Sequence, residues 1–158
     1  MNTEYLVASI GKIKIGIDCH DILNVYRQHL KILPIANQHP IYIGIVSLAN
    51  KTLPVIDLRK RANLQPNSQA RLQNIITFQT SMTRCLAVLV DDILGMESLN
   101  PSNIQHANNN LHNQQSNLNL LFPSIAILKD DSLLHIMDST YLDKLEAAAE
   151  DSGELELF

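Results

Sequence analysis

The sequence predicts a mainly β protein, because short aliphatic and β-branched runs recur along it and turn-forming residues separate them. Val and Ile are stiff at χ1 and suit a pleated, half-buried surface, so such runs favour strands. Trp is absent and aromatic residues make up 4% of the chain, so Ile, Leu and Val must supply most of the core. Many short strands of this kind fit both a sandwich and a barrel, and the pattern alone leaves the two open.

Length and charge exclude several classes of protein. The 158 residues predict one domain, or one domain built of two small lobes. The net charge is −4 and Lys and Arg are scattered along the chain, so the sequence does not predict a basic surface that would bind nucleic acid. No apolar run approaches membrane-spanning length, and no basic segment followed by an apolar one opens the chain, so we expect a cytoplasmic protein without membrane insertion. The two cysteines form neither a disulfide framework nor zinc-ligand spacing.

The first elements are a hairpin, a helix and a strand. Tyr5–Ile10 and Ile13–Ile17 flank Gly11-Lys12 and predict a hairpin with a two-residue turn. A helical stretch is predicted from Asp18, with an apolar stripe at mixed three- and four-residue spacing. That stripe consists of Ile22, Leu23, Val25 and Tyr26. Leu30–Ile35, interrupted by Pro34, is a further strand candidate.

The second predicted hairpin is the most informative segment of the sequence. Its strands are Tyr42–Leu48 and Thr52–Leu58, and Ala49-Asn50-Lys51 joins them. Asn tolerates the left-handed conformation that such a turn needs. Pro54 lacks an N–H donor, which predicts an edge strand or a bulge. Asp57 is a natural N-cap for a short helical turn that follows it.

The second half predicts more strands and a terminal helix. Its elements, in chain order, are a polar loop at 63–71, a strand pair at 74–80 and 85–90 that 94–99 extends, a surface loop at 101–119, a final hairpin at 124–128 and 133–137, and an acidic tail. Asp138 or Ser139 caps a helix whose Leu142, Leu145 and Ala149 face inward. The domain spans residues 4–146, and the acidic tail spans 147–158.

Three of these segments together resemble one family, the CheW-like coupling domains of bacterial chemotaxis. The family shows a strand with an early Gly, then Asn-Leu-Arg-Gly, two residues, and Leu-Pro-Val-Val-Asp-Leu-Arg. Eight residues here are in register with it: Gly44, Leu48, Leu53, Pro54, Val55, Asp57, Leu58 and Arg59. The segment 87–93 is similar to the family's aliphatic strand that ends in Val-Asp, and 125–138 is similar to its last hairpin.

The resemblance implies a fold and a function. It implies two small five-stranded β-barrel lobes on a shared apolar core, with a short early helix and a C-terminal helix. It implies an adaptor without an active site, cofactor or small-molecule substrate, which links a chemoreceptor tip, held in a groove between the lobes, to the regulatory domain of a CheA-type histidine kinase. Such adaptors act in chemotaxis or in twitching motility driven by type IV pili.

The partner-binding residues follow from the same resemblance. They are Asn24, Arg27, Ile43, Ile45, Ala49, Asn50, Val55, Ile56 and Arg59. Four positions depart from the family. Ala49 and Asn50 replace the Arg and Gly of Asn-Leu-Arg-Gly, and Asn24 replaces a Glu of the early helix, so a polar pair is lost. Ser124 replaces a Gly at the last hairpin. These departures make receptor coupling doubtful, and a diverged scaffold without it is an alternative.

Reactive groups are few and have simpler explanations. Cys19-His20 are neighbours that seldom pair on a helix, so a buried Cys beside a surface His is the better interpretation. Asp91 follows a strand and is expected to bind turn amides rather than pair with Asp92. Asp130-Asp131 form a hairpin tip. His106 and His112 have no Cys or carboxylate at ligand spacing, so no metal is expected. We therefore do not expect an enzyme.

Two charged segments remain. Arg59-Lys60-Arg61 is expected to be a solvated helix end. The last residues, Glu154-Leu155-Glu156-Leu157-Phe158, are similar to the Gln-Leu-x-Leu-Phe peptides that dock on the bacterial sliding clamp, with Glu in place of Gln. A protein tethered to the clamp through this peptide is the alternative from a different functional class, and a frayed terminus is the simpler interpretation.

Overall fold

Eleven short strands dominate the part of the chain that the structure describes. A computed structural model describes residues 1–27, 30–34, 42–48, 50–61, 64, 74–79, 85–106 and 120–144. In chain order the strands are β1 (Thr3–Ile10), β2 (Ile13–Asp18), β3 (Ile22–Tyr26), β4 (Tyr42–Leu48), β5 (Lys51–Asp57), β6 (Asn74–Gln79), β7 (Cys85–Val90), β8 (Asp92–Leu99), β9 (Ile104–His106), β10 (Ser124–Ile127) and β11 (Leu133–Ile136). Helix α1 (Leu58–Arg61) follows β5, two 3-10 turns span Cys19–Asp21 and Pro101–Asn103, and residues 140–144 are helical.

The strands form two sheets, which we call lobe 1 and lobe 2. Lobe 1 has six strands in the order β8-β1-β2-β11-β10-β9, and lobe 2 has five in the order β3-β6-β7-β5-β4. Pairing is antiparallel except between β2 and β11 and between β5 and β7. The mainly β, two-lobed prediction is therefore confirmed. It differs in detail, because lobe 1 has a sixth strand and neither strand order closes into a ring among the described residues.

The described residues form three apolar clusters, and one of them joins the lobes. Lobe 1 has its own core around Tyr5, Val7 and Leu134, and lobe 2 has its own around Val55, Ile75 and Leu89. The third cluster takes residues from both sheets, among them Ala8, Ile10, Ile15, Ile17, Ile56, Ile76, Leu86 and Val88. This is the shared core that the resemblance implied, and it places the two lobes against each other through apolar contact.

The tight turns follow the predicted chemistry. Gly11, Asn50 and Asp131 each have φ near +60°, which Gly and Asn or Asp adopt most readily. At the last hairpin, the Asp130 carboxylate accepts hydrogen bonds from the hydroxyl and the N–H of Ser132. These bonds, led by that of the hydroxyl and assisted by Lys14, lower the pKa of Asp130 to about 2. The hairpin-tip prediction for Asp130-Asp131 is thus confirmed.

The predicted early helix is wrong beyond its first turn. Asp18 does cap a turn, since its carboxylate accepts the N–H of His20 at 2.9 Å, but that 3-10 turn ends at Asp21. The apolar stripe after it lies on β3, which pairs with β6 and has a register shift between Ile22 and Asn24. A bulge breaks the two-residue alternation of a strand, so its apolar spacing imitated that of a helix.

Three further assignments are corrected. Residues 94–99 do not extend the β6–β7 pair, because β8 lies in lobe 1 and pairs with β1. Residues 104–106, expected in a loop, form β9 beside β10. Pro54 is not on an edge strand, since β5 lies between β4 and β7; the predicted alternative, a bulge, occurs one pair away, where the β4–β5 register shifts between Tyr42 and Gly44. Pro54 is tolerated in β5 because the ladder to β7 begins only at Val55, so no partner awaits the missing N–H.

The predicted strand Leu30–Ile35 is wrong over its described residues 30–34, which contain an isolated bridge from Leu33 to Ile45 instead of a strand. The other predictions divide between confirmed elements and undescribed residues. The final hairpin forms as β10 and β11, and Asp138 caps the helical residues 140–144 by accepting the N–H of Thr140 at 3.0 Å. Leu142 is buried in the shared core, as predicted. Most of the loop at 63–71, residues 107–119 with His112, the inward positions Leu145 and Ala149, and the tail 147–158 lie outside the described residues.

Candidate functional site

The β4–β5 hairpin has two different faces. Val46, Leu48, Leu53 and Val55 point into the lobe 2 core. Cross-strand pairing places Ile45 opposite Pro54 and Ser47 opposite Thr52, so these four side chains share the other face. Ser47 and Thr52 are exposed, and Ile45 and Pro54 are half-buried. We call this group the outer hairpin face. Ile56 continues the same side of β5 into the shared core, so the face begins where the two lobes meet.

The structure divides the predicted partner-binding residues of this hairpin. Ile45 lies on the outer hairpin face, whereas Ile43 packs against the lobe 2 core. Val55 and Ile56 are both 0% exposed, so the prediction that they contact a partner is corrected. Neighbouring strand residues point to opposite faces, and here both faces are covered, by the lobe 2 core and by the shared core. These two residues support the hairpin from within.

The main chain of β4 is already paired at one point of its outer edge, Ile45. The N–H of Ile45 donates to the carbonyl of Leu33 at 2.8 Å, and the N–H of Leu33 donates back at 2.9 Å. A Cβ on Gly44 would clash with that same carbonyl oxygen, and Gly44 has φ +156°, so glycine permits this close approach. A partner would therefore meet the side chains of the outer hairpin face at Ile45, rather than adding a strand there.

Two predicted residues lie at the opposite edge of lobe 2. Asn24 is exposed on β3, where its N–H donates to the Thr77 hydroxyl at 3.1 Å, and Arg27 is exposed just after that strand. Asn50 is exposed in the β4–β5 turn, and Ala49 lies outside the described residues. The strand order thus places the Asn24 group and the hairpin on separate edges of the sheet.

Arg59 is not a solvated helix end but part of an ion-pair network. Its Nε and Nη2 donate to the two carboxylate oxygens of Asp57, each at 2.9 Å, and its Nη1 donates to Oδ1 of Asp91 at 2.7 Å. The Arg59 side chain is only 14% exposed, and that of Asp91 only 1%. The bond from Asp57 is the main reason that the pKa of Arg59 is raised above its ordinary value. The prediction of a solvated helix end is therefore wrong, and little of the Arg59 side chain is accessible to a partner.

Asp91 connects the two lobes at the point where the chain passes between them. It lies between β7 of lobe 2 and β8 of lobe 1. Its Oδ2 accepts the N–H of Gly11, in the β1–β2 turn of lobe 1, at 2.6 Å. Its backbone N–H donates to Ser9 at 2.9 Å, and its carbonyl accepts the Asn74 side-chain amide at 2.6 Å. The prediction that Asp91 binds turn amides is confirmed.

A cleft of about 460 Å³ opens beside the other crossing between the lobes. It lies between the 3-10 turn that leads to β3, the end of β6 and the C-terminal helical residues. Leu23 is 44% exposed in its wall, and Phe78 and Leu142 also line it. The Ser139 hydroxyl donates to Asp21 at 2.9 Å across the two sides. We call this the junction cleft; its lining combines the apolar side chains with the carboxylates of Asp21 and Asp143.

The candidate reactive groups occupy structural positions. Cys19 packs against the shared core, and burial raises the pKa of its thiol, which disfavours the reactive thiolate. His20 is exposed, with Nδ1 3.1 Å from the Asp18 carboxylate. His106 Nδ1 lies 2.7 Å from the Ser124 hydroxyl. Among the described residues, no three His, Cys, Asp or Glu side chains are grouped as metal ligands would be.

A family model decides what this architecture is. The model of the CheW-like domain matches residues 4–144. The chain belongs to the CheW-like domain family. The matched range contains both lobes, the outer hairpin face and the junction cleft, so every feature described above lies within the CheW-like domain.

A solved structure agrees with the fold. The crystal structure of the scaffolding protein TtCheW from Thermoanaerobacter tengcongensis matches with a TM-score of 0.73 and 22% sequence identity, over 87% of this chain and 90% of that one. At that identity the match shows a shared fold. A sequence search among curated proteins gave no significant match. No helix within the described ranges is both long enough and apolar enough to cross a membrane.

The sequence did not reveal the partnership of Arg59 with Asp91. The two residues are 32 positions apart and belong to separate motifs, so each had a sufficient local explanation. The sequence held one clue to this contact, since Asp91 and Arg59 each come just after a strand, β7 and β5 respectively. The parallel β5–β7 pairing brings those two ends together.

Proposed function

We propose that this CheW-like domain is a non-enzymatic adaptor that couples a chemoreceptor to a CheA-type histidine kinase, in chemotaxis or in twitching motility driven by type IV pili. The observation that carries the proposal is the family match over both lobes, together with two separate surfaces beside the lobe junction. An adaptor must hold two partners at once in a fixed geometry, and it needs binding surfaces more than reactive groups.

The outer hairpin face is our candidate surface for the kinase. Ile45 and Pro54 offer apolar area at its centre, and the exposed hydroxyls of Ser47 and Thr52 flank them. An apolar centre with a polar rim is the usual anatomy of a protein interface. The buried Val55 and Ile56 support this face from below, so its shape is fixed before a partner arrives.

The junction cleft is our candidate surface for the receptor tip. Its exposed Leu23 offers an apolar contact, and the exposed Asn24 lies next to it on β3. A coiled-coil tip presents apolar side chains at helical spacing, which such a cleft can receive. Asn24 replaces the family's Glu, so we expect this contact to be weaker than in relatives that keep the charged pair.

Titration calorimetry with the regulatory domain of a CheA-type kinase from the same genome tests the kinase surface. We expect a Kd in the micromolar range, which corresponds to a binding free energy on the order of −8 kcal/mol. Ile45→Asp places a charge at the centre of the outer hairpin face and should raise the Kd at least about tenfold. The matched control is Ile127→Asp, a change of the same kind at an exposed site of lobe 1. Equal loss in both variants, or no heat from the wild type at tens of micromolar, would argue against this surface.

A further inference from the structure

Two kinds of contact hold the lobes of this protein together. The shared core is apolar, and apolar association is non-directional, so by itself it permits small changes of angle between two packed sheets. The second contact is the polar network around Asp91, which reaches from Arg59 and Asn74 in lobe 2 to Gly11 in lobe 1. Hydrogen bonds have strict distance and angle requirements, so this network restrains the arrangement of the lobes more specifically than the apolar contact does.

Hydrogen bonds from both lobes fix the orientation of the Asp91 carboxylate. On the lobe 2 side, Asp57 accepts from two nitrogens on one edge of the Arg59 guanidinium, Nε and Nη2, and leaves Nη1 aimed at Asp91. A planar guanidinium held at two points cannot rotate freely. On the lobe 1 side, the other Asp91 oxygen accepts the N–H of the β1–β2 turn. The Asp91 carboxylate therefore has one oxygen bound to each lobe, and it is almost fully removed from solvent.

We propose that the Arg59–Asp91 pair is a latch that fixes the angle between the lobes. Resting on the proposed adaptor function, Arg59 and Asp91 are then positioning residues: they touch neither partner, and they set the geometry in which the outer hairpin face and the junction cleft present both partners. A signal passed by geometry needs a body with a single shape, and the directional Asp91 network adds a restraint on that shape to the packing of the shared core.

Distance measurement on the isolated chain tests the latch without any partner. Spin labels on cysteines at Lys129, in the β10–β11 turn, and at Lys51, at the start of β5, report the separation of the lobes. Both sites are exposed, and the native thiols are removed as Cys19→Ala and Cys85→Ala. In Arg59→Met we expect the distance distribution to broaden about twofold or to shift, because more than one lobe angle becomes populated.

Arg59→Lys is the second variant, and it keeps a charge beside Asp91 so that the chain folds. A lysine cannot bind two carboxylates in one fixed plane, so its distribution should lie between those of the wild type and Arg59→Met. Circular dichroism of every variant confirms that the sheets are intact. A distribution in Arg59→Met as narrow as in the wild type, with the same mean, overturns the latch.

A separate experiment measures how the latch affects receptor control of kinase activity. In a reconstituted mixture of receptor, kinase and adaptor, Arg59→Met should reduce receptor control of kinase activity at least about fivefold, with Arg59→Lys restoring part of it. A broadened distribution with unchanged receptor control overturns the positioning role. A wild-type adaptor that gives no receptor control refutes the proposed function instead, while the distance result still decides the latch.

Discussion

Replacing Asp91 by alanine should lower the free energy of unfolding by about 3–5 kcal/mol, the usual cost of removing one partner from a buried ion pair. The change leaves the guanidinium of Arg59, which is 14% exposed, without its second carboxylate, and it leaves the N–H of Gly11 without an acceptor. Urea denaturation followed by circular dichroism measures the loss. The two lobes share a core, so we expect them to unfold in one transition.

Asp92→Ala is the matched control for this change. Asp92 is the next residue, has the same chemistry and is only half-buried, so its substitution should change the free energy of unfolding by less than about 0.5 kcal/mol. Asp91→Asn should fall between the two, because the amide oxygen can still accept from Gly11 while the charge opposite Arg59 is lost. Similar losses in Asp91→Ala and Asp92→Ala would contradict the described network.

Ile56→Ala should destabilise the fold by about 2–5 kcal/mol, the range for large-to-small changes in a close-packed core. Ile56 is 0% exposed and lies in the cluster that joins the two lobes, so a cavity there weakens the lobe contact as well as lobe 2. Thermal or urea unfolding measures this loss. Ile127→Ala provides the comparison, since that side chain is 61% exposed and its truncation should cost little.

The Ile56→Ala experiment also shows whether Ile56 stabilises the fold or contacts the kinase directly. If Ile56 were a partner-binding residue, its truncation would weaken kinase binding while leaving stability near that of the wild type. We expect the reverse: a large loss of stability, with near-normal affinity in the fraction that is folded. An Ile56→Ala variant as stable as Ile127→Ala would mean that the shared core is not where the structure places it.

The local sequence pattern was sufficient to predict most strands. It failed where a bulge or the crossing of the chain between lobes determined the structure. The hairpins around Gly11 and Asn50 were predictable because each strand alternates or is wholly apolar, and each turn residue suits a left-handed backbone. β3 was misread because its bulge disturbs the alternation. β8 was assigned to the wrong sheet because adjacency along the chain does not reveal that the chain changes lobes at Asp91.

The candidate site was predictable as a segment but not residue by residue. The hairpin wording located the outer hairpin face, and Ile45 indeed lies on it. Val55 and Ile56 could not be recognised as wholly buried, because an apolar strand reads alike whether one face or both are covered. The sequence predicts a surface cation at Arg59, because the buried partner of this residue is remote in sequence. The junction cleft combines three distant segments and left no local signal.

Coupling itself is the central claim, and reconstitution measures it most directly. Vesicles bearing the chemoreceptor are mixed with the CheA-type kinase, with and without this protein, and the rate of kinase autophosphorylation is recorded as receptor ligand is added. We predict that the rate responds to ligand only when the adaptor is present. A rate that is the same with and without the adaptor, although calorimetry shows that the kinase binds it, would contradict receptor coupling and would identify a scaffold that has lost it.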